Sequence, residues 1–201
     1  MDFLKSRWLQ PGTIAFLVIV LYYPVLKKLV SIWWDNPDYS HGFLVPLITL
    51  FLVWQRHREL KDIEASPSRW GLFIILVSLL MLAVGQVGAE RFLTSFSLLP
   101  LIAGLVLYLM GRQFLARLAF PLILLIFMIP PPAILFNQIT VPLQLFAAGT
   151  ATSALQLIGV PVLREGNVIT LATQVLEVTE ACSGIRSIIS LTLLALLFSY
   201  F

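Results

Sequence analysis

The chain has 201 residues, of which 59% are apolar types and only 11% are charged. Soluble domains carry about 25% charged residues, so this composition excludes a water-soluble globular protein and indicates one embedded in a lipid bilayer. The net charge of +3 is too small to indicate binding to nucleic acid. A single cysteine excludes an internal disulfide, and with only two separated histidines it argues against a metal site.

Apolar segments long enough to cross a membrane follow one another along the chain. A spanning helix needs about 20 mainly apolar residues, and the first such segment lacks the cleavage pattern of a signal peptide. The sequence predicts an all-α polytopic membrane protein, a single domain over residues 1–201 with about six transmembrane helices. The predicted spans lie at roughly 12–32, 40–55, 70–88, 92–110, 114–130 and 185–201.

Basic residues predict which side of the membrane each loop faces. Eight of the thirteen precede the first span or lie in the loops after the second and fourth spans, which the positive-inside rule assigns to the cytoplasm. The Trp33–His41 loop and the Pro130–Pro132 run then lie outside. The cytoplasmic set is Lys5, Arg7, Arg56, Arg58, Lys61, Arg69, Arg112 and Arg117. The opposite set is Lys27, Lys28, Arg91, Arg164 and Arg186.

Residues 133–160 decide which side of the membrane the following segment faces. Their polar residues recur at helical spacing and form one stripe. An interfacial or re-entrant helix needs such a stripe, and we predict this arrangement, which places residues 161–184 outside. The alternative is a span whose stripe faces other helices, which places residues 161–184 in the cytoplasm. The stripe consists of Asn137, Thr140, Gln144, Thr152 and Gln156.

A small β-hairpin is predicted after this helix. Val168–Leu171 and Val175–Val178 are short runs of β-prone residues. Gly166-Asn167 and the Ala172–Gln174 region supply turn residues on either side of the first run. We expect this hairpin to be extracytoplasmic and to rest on the membrane surface.

The single cysteine, Cys182, precedes the last predicted span, where Ser183 can cap the helix. Unpaired N–H groups and the helix dipole at such a position favour the nucleophilic thiolate. Arg186, one turn later, adds a permanent positive charge that can stabilise the thiolate, a substrate carboxylate or an oxyanion. Gly184 allows another main chain to approach closely. The pattern indicates a catalytic cysteine.

Several observations weigh against that interpretation. A lone cysteine in an apolar chain is most often an inert small hydrophobe, and Arg186 can act only as an interfacial anchor. Glu177 and Glu180 oppose thiolate formation if they point toward the sulfur, or bind a basic part of a substrate. Both interpretations of each residue stay open on the sequence alone.

A nucleophilic cysteine usually needs a base or an electrophilic partner. His41, in the segment Asp38-Tyr39-Ser40-His41-Gly42, lies on the outer side by the charge argument and is the candidate. Asp38 can orient His41 or cap the following helix. The structural alternative for His41 is a cap or interface residue, and this is the role we expect. No glycine loop that would cradle a phosphate is present, and we predict no cofactor.

Four stretches of this sequence resemble the exosortases, membrane cysteine transpeptidases of the exosortase/archaeosortase family. Their order and spacing also match, and the resemblance covers nearly all of the chain. The stretches are Trp34–Gly42 (WDNPDYSHG), Phe127–Pro132 (FMIPPP), Leu157–Gly166 (LIGVPVLREG) and Leu176–Ser187 (LEVTEACSGIRS).

The resemblance implies a function that the composition of the chain does not indicate. Exosortases act in the bacterial inner membrane on exported proteins that carry a C-terminal Pro-Glu-Pro motif, a transmembrane helix and a basic tail (PEP-CTERM). The family's nucleophile maps onto Cys182, which is expected to face the periplasm. The family also has an arginine and a histidine on spans after the cysteine helix, and nothing follows Phe201 here. The resemblance therefore implies a C-terminally incomplete chain.

Two other functions are alternatives to that of a cysteine transpeptidase. A transporter of an exopolysaccharide or envelope export system predicts charged residues in the middle of spans, and the third to fifth spans have almost none. A non-enzymatic membrane subunit of such a system predicts that Cys182 is replaceable without effect.

Overall fold

The computed structural model describes residues 3–88, 90–178 and 185–200. Most of these residues are helical, which confirms the predicted all-α membrane class. Internal contacts divide the chain into two compact units, Met1–Ile129 and Pro130–Phe201. We refer to them as the first and second units.

The first unit consists of helices joined by short connections. Two short 3₁₀ helices accompany the α-helices, one at the start of α2 and one at the end of α7. The α-helices are α1 (Phe3–Asp35), α2 (Leu44–Gln55), α3 (His57–Lys61), α4 (Trp70–Val87), α5 (Arg91–Phe96), α6 (Leu98–Leu109) and α7 (Arg112–Leu124), and the 3₁₀ helices are Pro37–Phe43 and Leu125–Met128.

Glycines allow α4 and α6 to pack closely as an antiparallel pair. A β-carbon on Gly71 would lie 2.4 Å from the main-chain nitrogen of Tyr108, and one on Gly104 would lie 3.1 Å from the Gly71 carbonyl oxygen. The first distance excludes a side chain at Gly71, and the second would require the neighbouring main chain to shift. Small residues at such crossings bring main chains together and increase the dispersion contact that holds membrane helices.

A buried cluster of hydroxyl groups joins α1 to α4 and to the turn between α5 and α6. The Tyr22 hydroxyl lies 3.0 Å from Ser97 Oγ and 3.4 Å from Ser78 Oγ. The Ser78 hydroxyl donates to the Ser97 carbonyl oxygen at 2.6 Å. All three residues are buried, so these hydrogen bonds replace the ones that water would supply.

The basic loops meet at one end of the first unit, which we call the basic end. The Arg56 guanidinium donates to the Arg117 carbonyl oxygen at 2.8 Å, and the Arg117 guanidinium forms an ion pair with Glu59 at 2.8 Å. The main chains of Ser66 and Gly111 form an isolated bridge beside them. The loops that the sequence assigns to one side of the membrane therefore lie at one end of the unit.

The number of long spans differs from the predicted six. Four described segments are long and apolar enough to cross a membrane, and three of these coincide with predicted spans. The other three predicted spans are shorter helices: α2 and α7 have 12 and 13 residues, and the last apolar helix is Ser187–Tyr200. The four long segments are Gly12–Asp35, Trp70–Val87, Arg91–Leu109 and Ile134–Leu157.

The second unit contains two helices and a three-stranded antiparallel sheet among its described residues. The predicted hairpin is confirmed, with its turns at Gly166-Asn167 and Ala172–Gln174, and an additional strand, β1, pairs along its first edge. The elements are α8 (Ala133–Leu157), β1 (Val162–Glu165), β2 (Val168–Leu171), β3 (Val175–Glu177) and α9 (Ile185–Tyr200), and the strand order is β1-β2-β3.

The segment predicted to be interfacial or re-entrant is one continuous helix, α8, with 25 residues. It is also one of the four helices that can cross a membrane by length and composition, so both arrangements stay predictions. The middle of its polar stripe, Thr140, Gln144 and Thr152, is buried. The two threonine hydroxyls donate to carbonyl oxygens of their own helix, so these two groups are satisfied without water.

Candidate functional site

Two of the sequence stretches singled out above meet at the end of the first unit opposite the basic end, which we call the far end. The Trp33 indole Nε1–H donates to the Met128 carbonyl oxygen at 2.9 Å. His41 Nε2 lies 3.1 Å from the Phe127 carbonyl oxygen. These two bonds connect the end of α1 and the first 3₁₀ helix with the second 3₁₀ helix.

Prolines explain why these two carbonyl groups need distant donors. Residues three and four positions after Phe127 and Met128 belong to the run Pro130–Pro132, which has no main-chain N–H to donate. In a helix, those positions would supply the hydrogen bonds. Unsatisfied carbonyl groups in a buried or lipid-facing position cost free energy, and Met128 is buried. The donors from Trp33 and His41 remove that cost.

The first 3₁₀ helix is shaped to bring its residues against Trp33. A β-carbon on Gly42 would lie within 2.6 Å of the indole ring, so no larger residue fits there. The Phe43 ring packs edge-on against the same indole with centroids 5.2 Å apart. Asn36 caps this 3₁₀ helix, since its side-chain oxygen accepts from the Asp38 N–H at 2.9 Å.

His41 contacts the Phe127 carbonyl oxygen through one ring nitrogen. A carbonyl oxygen only accepts, so Nε2 donates the hydrogen in this bond. His41 is half-buried. Its Nε2 connects the first 3₁₀ helix to the second one, and the roles that the sequence suggested for His41 stay predictions.

In the second unit, the turn between β1 and β2 anchors the end of β3. The Asn167 side-chain amide donates to the Val178 carbonyl oxygen at 3.2 Å, and the Val178 N–H donates to the Asn167 carbonyl oxygen at 2.9 Å. Val178 is the last described residue before the cysteine segment. The chain thus enters that segment from a point that is fixed by two hydrogen bonds.

Arg164 connects this turn to α8. Its Nε donates to the Gly166 carbonyl oxygen at 2.9 Å, which braces the turn. A β-carbon on Gly149 of α8 would lie 2.6 Å from its Nη1, so the guanidinium lies directly on the helix surface. The sheet is therefore held on α8 beside a glycine, and the turn that carries Asn167 is positioned relative to that helix.

The cysteine motif itself lies mainly outside the described residues, namely Glu180, Cys182, Ser183 and Gly184. Arg186 belongs to the first turn of α9, and its side chain is also outside what the structure describes. Glu177 is the last residue of β3 and is exposed. The predicted roles of these residues therefore stay predictions, as does the role of Asp38.

No group of three or more metal-ligating side chains occurs in the parts of the chain that the structure describes. Sequence reasoning missed Trp33 and Asn167, the two residues whose contacts organise the two units. The proline run was the available signal for Trp33, because it leaves two main-chain carbonyl groups without helical donors, and these groups require others. Asn167 was recognised only as a turn residue.

A family model described as transmembrane exosortase matches residues 33–201. The matched range includes the residues that meet at the far end, the sheet and the cysteine motif. No curated protein matches the chain. No solved structure matches it either.

Trp33→Phe tests the hydrogen bond at the far end. The indole N–H is lost and the buried Met128 carbonyl group is left without this donor, so we expect a free energy of unfolding lower by about 1–3 kcal/mol. The measurement is the thermal unfolding midpoint of the purified protein in detergent. Trp34→Phe is the matched control, because Trp34 is 81% exposed and Trp33 only 7%. Equal midpoints for both variants would contradict the assigned bond.

Asn167→Ala tests the anchor at the end of β3. The variant loses one side-chain hydrogen bond that contributes about 1 kcal/mol to the free energy of local opening. We therefore expect amide exchange at Val178 and along β3 to be about fivefold faster. Hydrogen exchange followed by mass spectrometry measures this rate. Asn137→Ala, which changes an exposed asparagine of α8, is the control and leaves that exchange unchanged. Unchanged protection in Asn167→Ala would show that the anchor contributes nothing.

Proposed function

This chain belongs to the transmembrane exosortase family, and on that premise we propose that it is a membrane cysteine peptidase or transpeptidase with Cys182 as nucleophile. The observation that carries the proposal is the anchoring of Val178 by Asn167. That anchor lies four residues before Cys182, within the matched range. A nucleophile must be held close to one geometry for its attack to be efficient. A sheet braced on α8 provides a rigid support for the segment that carries it.

The proposed reaction begins with the Cys182 thiolate, which attacks the carbonyl carbon of the scissile peptide bond. The C–N bond breaks, the amine leaves with a proton, and a thioester joins the substrate to Cys182. A second nucleophile, water or an acceptor amine or hydroxyl, then attacks the thioester and releases the thiolate. Water gives hydrolysis and any other acceptor gives transfer.

Arg186 and Ser183 support the nucleophile in this proposal. Arg186 falls in the first turn of α9, four residues after Cys182, and its permanent charge favours the thiolate and a developing oxyanion. Ser183 caps the start of the helix. Gly184 leaves room for the substrate main chain, and Glu177 and Glu180 contact a basic part of the substrate.

The proposed substrates are exported proteins that end in a Pro-Glu-Pro motif, a transmembrane helix and a basic tail. Exposed apolar side chains cover α4 and the outer faces of other helices of the first unit. Such surfaces suit the bilayer and also a substrate helix that packs laterally. The proposed location is the bacterial inner membrane, with Cys182 facing the periplasm.

Cys182→Ala in the producing cell tests the catalytic role. We expect loss of substrate processing by at least about a thousandfold, since removing a covalent nucleophile leaves only binding and electrostatic contributions. Immunoblots that separate precursor from processed substrate measure this loss. Ser190→Ala is the control, because this exposed serine lies in α9 beyond the motif.

Processing at the normal rate in Cys182→Ala would contradict the proposal. It would favour a non-enzymatic membrane subunit in its place. Equal membrane levels of the two variants, measured on the same blots, exclude loss of protein as the cause of lost processing.

The same residue, the chain's one cysteine, tests the proposed sidedness. A membrane-impermeant maleimide is expected to label the wild-type protein in intact spheroplasts, and Cys182→Ala to remain unlabelled. Mass spectrometry of the purified protein measures the modification. Labelling that appears only after lysis would place Cys182 in the cytoplasm. That location is the one expected if α8 crosses the membrane.

A further inference from the structure

A groove with a volume of about 270 Å³ opens in the first unit between α1, the end of α4 and α5. We call it the α1–α5 groove. Val25 and Ser95 in its wall are buried, and its charged residues are exposed. The volume is just below the range of about 300–1,000 Å³ that is typical of sites for drug-sized molecules. Its lining residues include Lys28, Gln86, Glu90, Arg91, Thr94 and Ser95.

The groove lies toward the far end of the first unit. α4 starts at Trp70, next to the loop that pairs with Gly111 at the basic end, and Gln86 is its second-last residue. Lys28 is in the second half of α1, after the Tyr22 contact. Charged side chains are costly in the hydrocarbon core. The groove is therefore expected at the depth of the lipid headgroups on the side opposite the basic loops.

Two cations on this side run against the bias that the positive-inside rule describes. Lys28 and Arg91 are 63 positions apart in the sequence, and folding brings both to one groove. No carboxylate among the residues that the structure describes lies within 4.0 Å of either cation. The nearby Glu90 carboxylate accepts from the Phe92 N–H at 3.3 Å, so it caps the start of α5.

We propose that the α1–α5 groove binds the phosphodiester headgroup of a phospholipid from the leaflet at the far end. The charges of Lys28, Arg91 and Glu90 sum to one net positive charge, which matches the single negative charge of a phosphodiester. Arginine pairs with phosphate through a planar fork, and lysine pairs with it as a point charge. Gln86 supplies an amide donor on the same wall.

The simpler alternative is that both cations only reach to the membrane surface, as Lys and Arg near helix ends do. Lys27 distinguishes the two cases. It is exposed, adjacent to Lys28 in α1 and outside the groove lining. Non-specific attraction to the surface would involve Lys27 and Lys28 equally, whereas the groove involves only Lys28.

The experiment measures how added lipid shifts the thermal unfolding midpoint of the purified full chain in detergent. Dioleoylphosphatidylglycerol is compared with dioleoylglycerol, which has the same acyl chains and no phosphate. For the wild type and for the control Lys27→Gln/Arg112→Gln, we expect only the phospholipid to raise the midpoint. For Lys28→Gln/Arg91→Gln, we expect the lipid concentration needed for half the shift to rise about tenfold or more.

Three results would overturn the proposal: an unchanged lipid response in Lys28→Gln/Arg91→Gln, an equal shift with dioleoylglycerol, or an equal shift with inorganic phosphate at the same concentration. The last would mean a site for free anions. If the double variant does not fold, the single variants replace it, and full response in both counts against the proposal. Lys28→Arg/Arg91→Lys keeps the charges and is expected to retain the response.

Discussion

Prolines deprive several main-chain carbonyl groups of their helical hydrogen-bond donors. The side chains that donate in their place hold the first unit together. Pro121 lies inside α7 and cannot donate to the Arg117 carbonyl oxygen, which accepts instead from the Arg56 guanidinium. At the other end of this segment, Pro130–Pro132 leave the Phe127 and Met128 carbonyl groups for His41 and Trp33. Both ends of α7 and its 3₁₀ extension are therefore tied to the residues that flank α2, because lipid supplies no hydrogen bonds in their place.

The sequence predicted most of the helices, strands and turns, because these depend on residues that are close together along the chain. Apolar runs located the helices, and β-prone runs separated by Gly166-Asn167 located β2, β3 and their turns. The third strand was missed because Val162–Glu165 ends in two charged residues and has no strand alternation. The number of long spans was overestimated because hydropathy does not register where a helix tightens or ends, as α7 does when it changes to a 3₁₀ helix at Leu125.

Contacts between residues far apart in the sequence could not be predicted from local patterns. Trp33 and Met128 are separated by 95 positions, and Trp33 is identical in type to its exposed neighbour Trp34. The two differ only in which side of α1 faces the second 3₁₀ helix. His41 shows the same limit, since a histidine at a helix start fits a cap, a base or a bond to a remote carbonyl group. Only the fold selects among these roles.

Three of the five basic residues outside the loops predicted to be cytoplasmic are explained by the structure. Arg164 braces the turn that anchors Val178 before the cysteine segment, whereas Lys28 and Arg91 line one groove of the first unit. Lys27 lies beside Lys28 without joining that groove. A cation on the translocated side opposes the usual topogenic bias, so the contacts of such a residue indicate whether it has a positioning or binding role. Exceptions to the positive-inside rule are therefore more informative about binding and positioning than the basic residues that obey it.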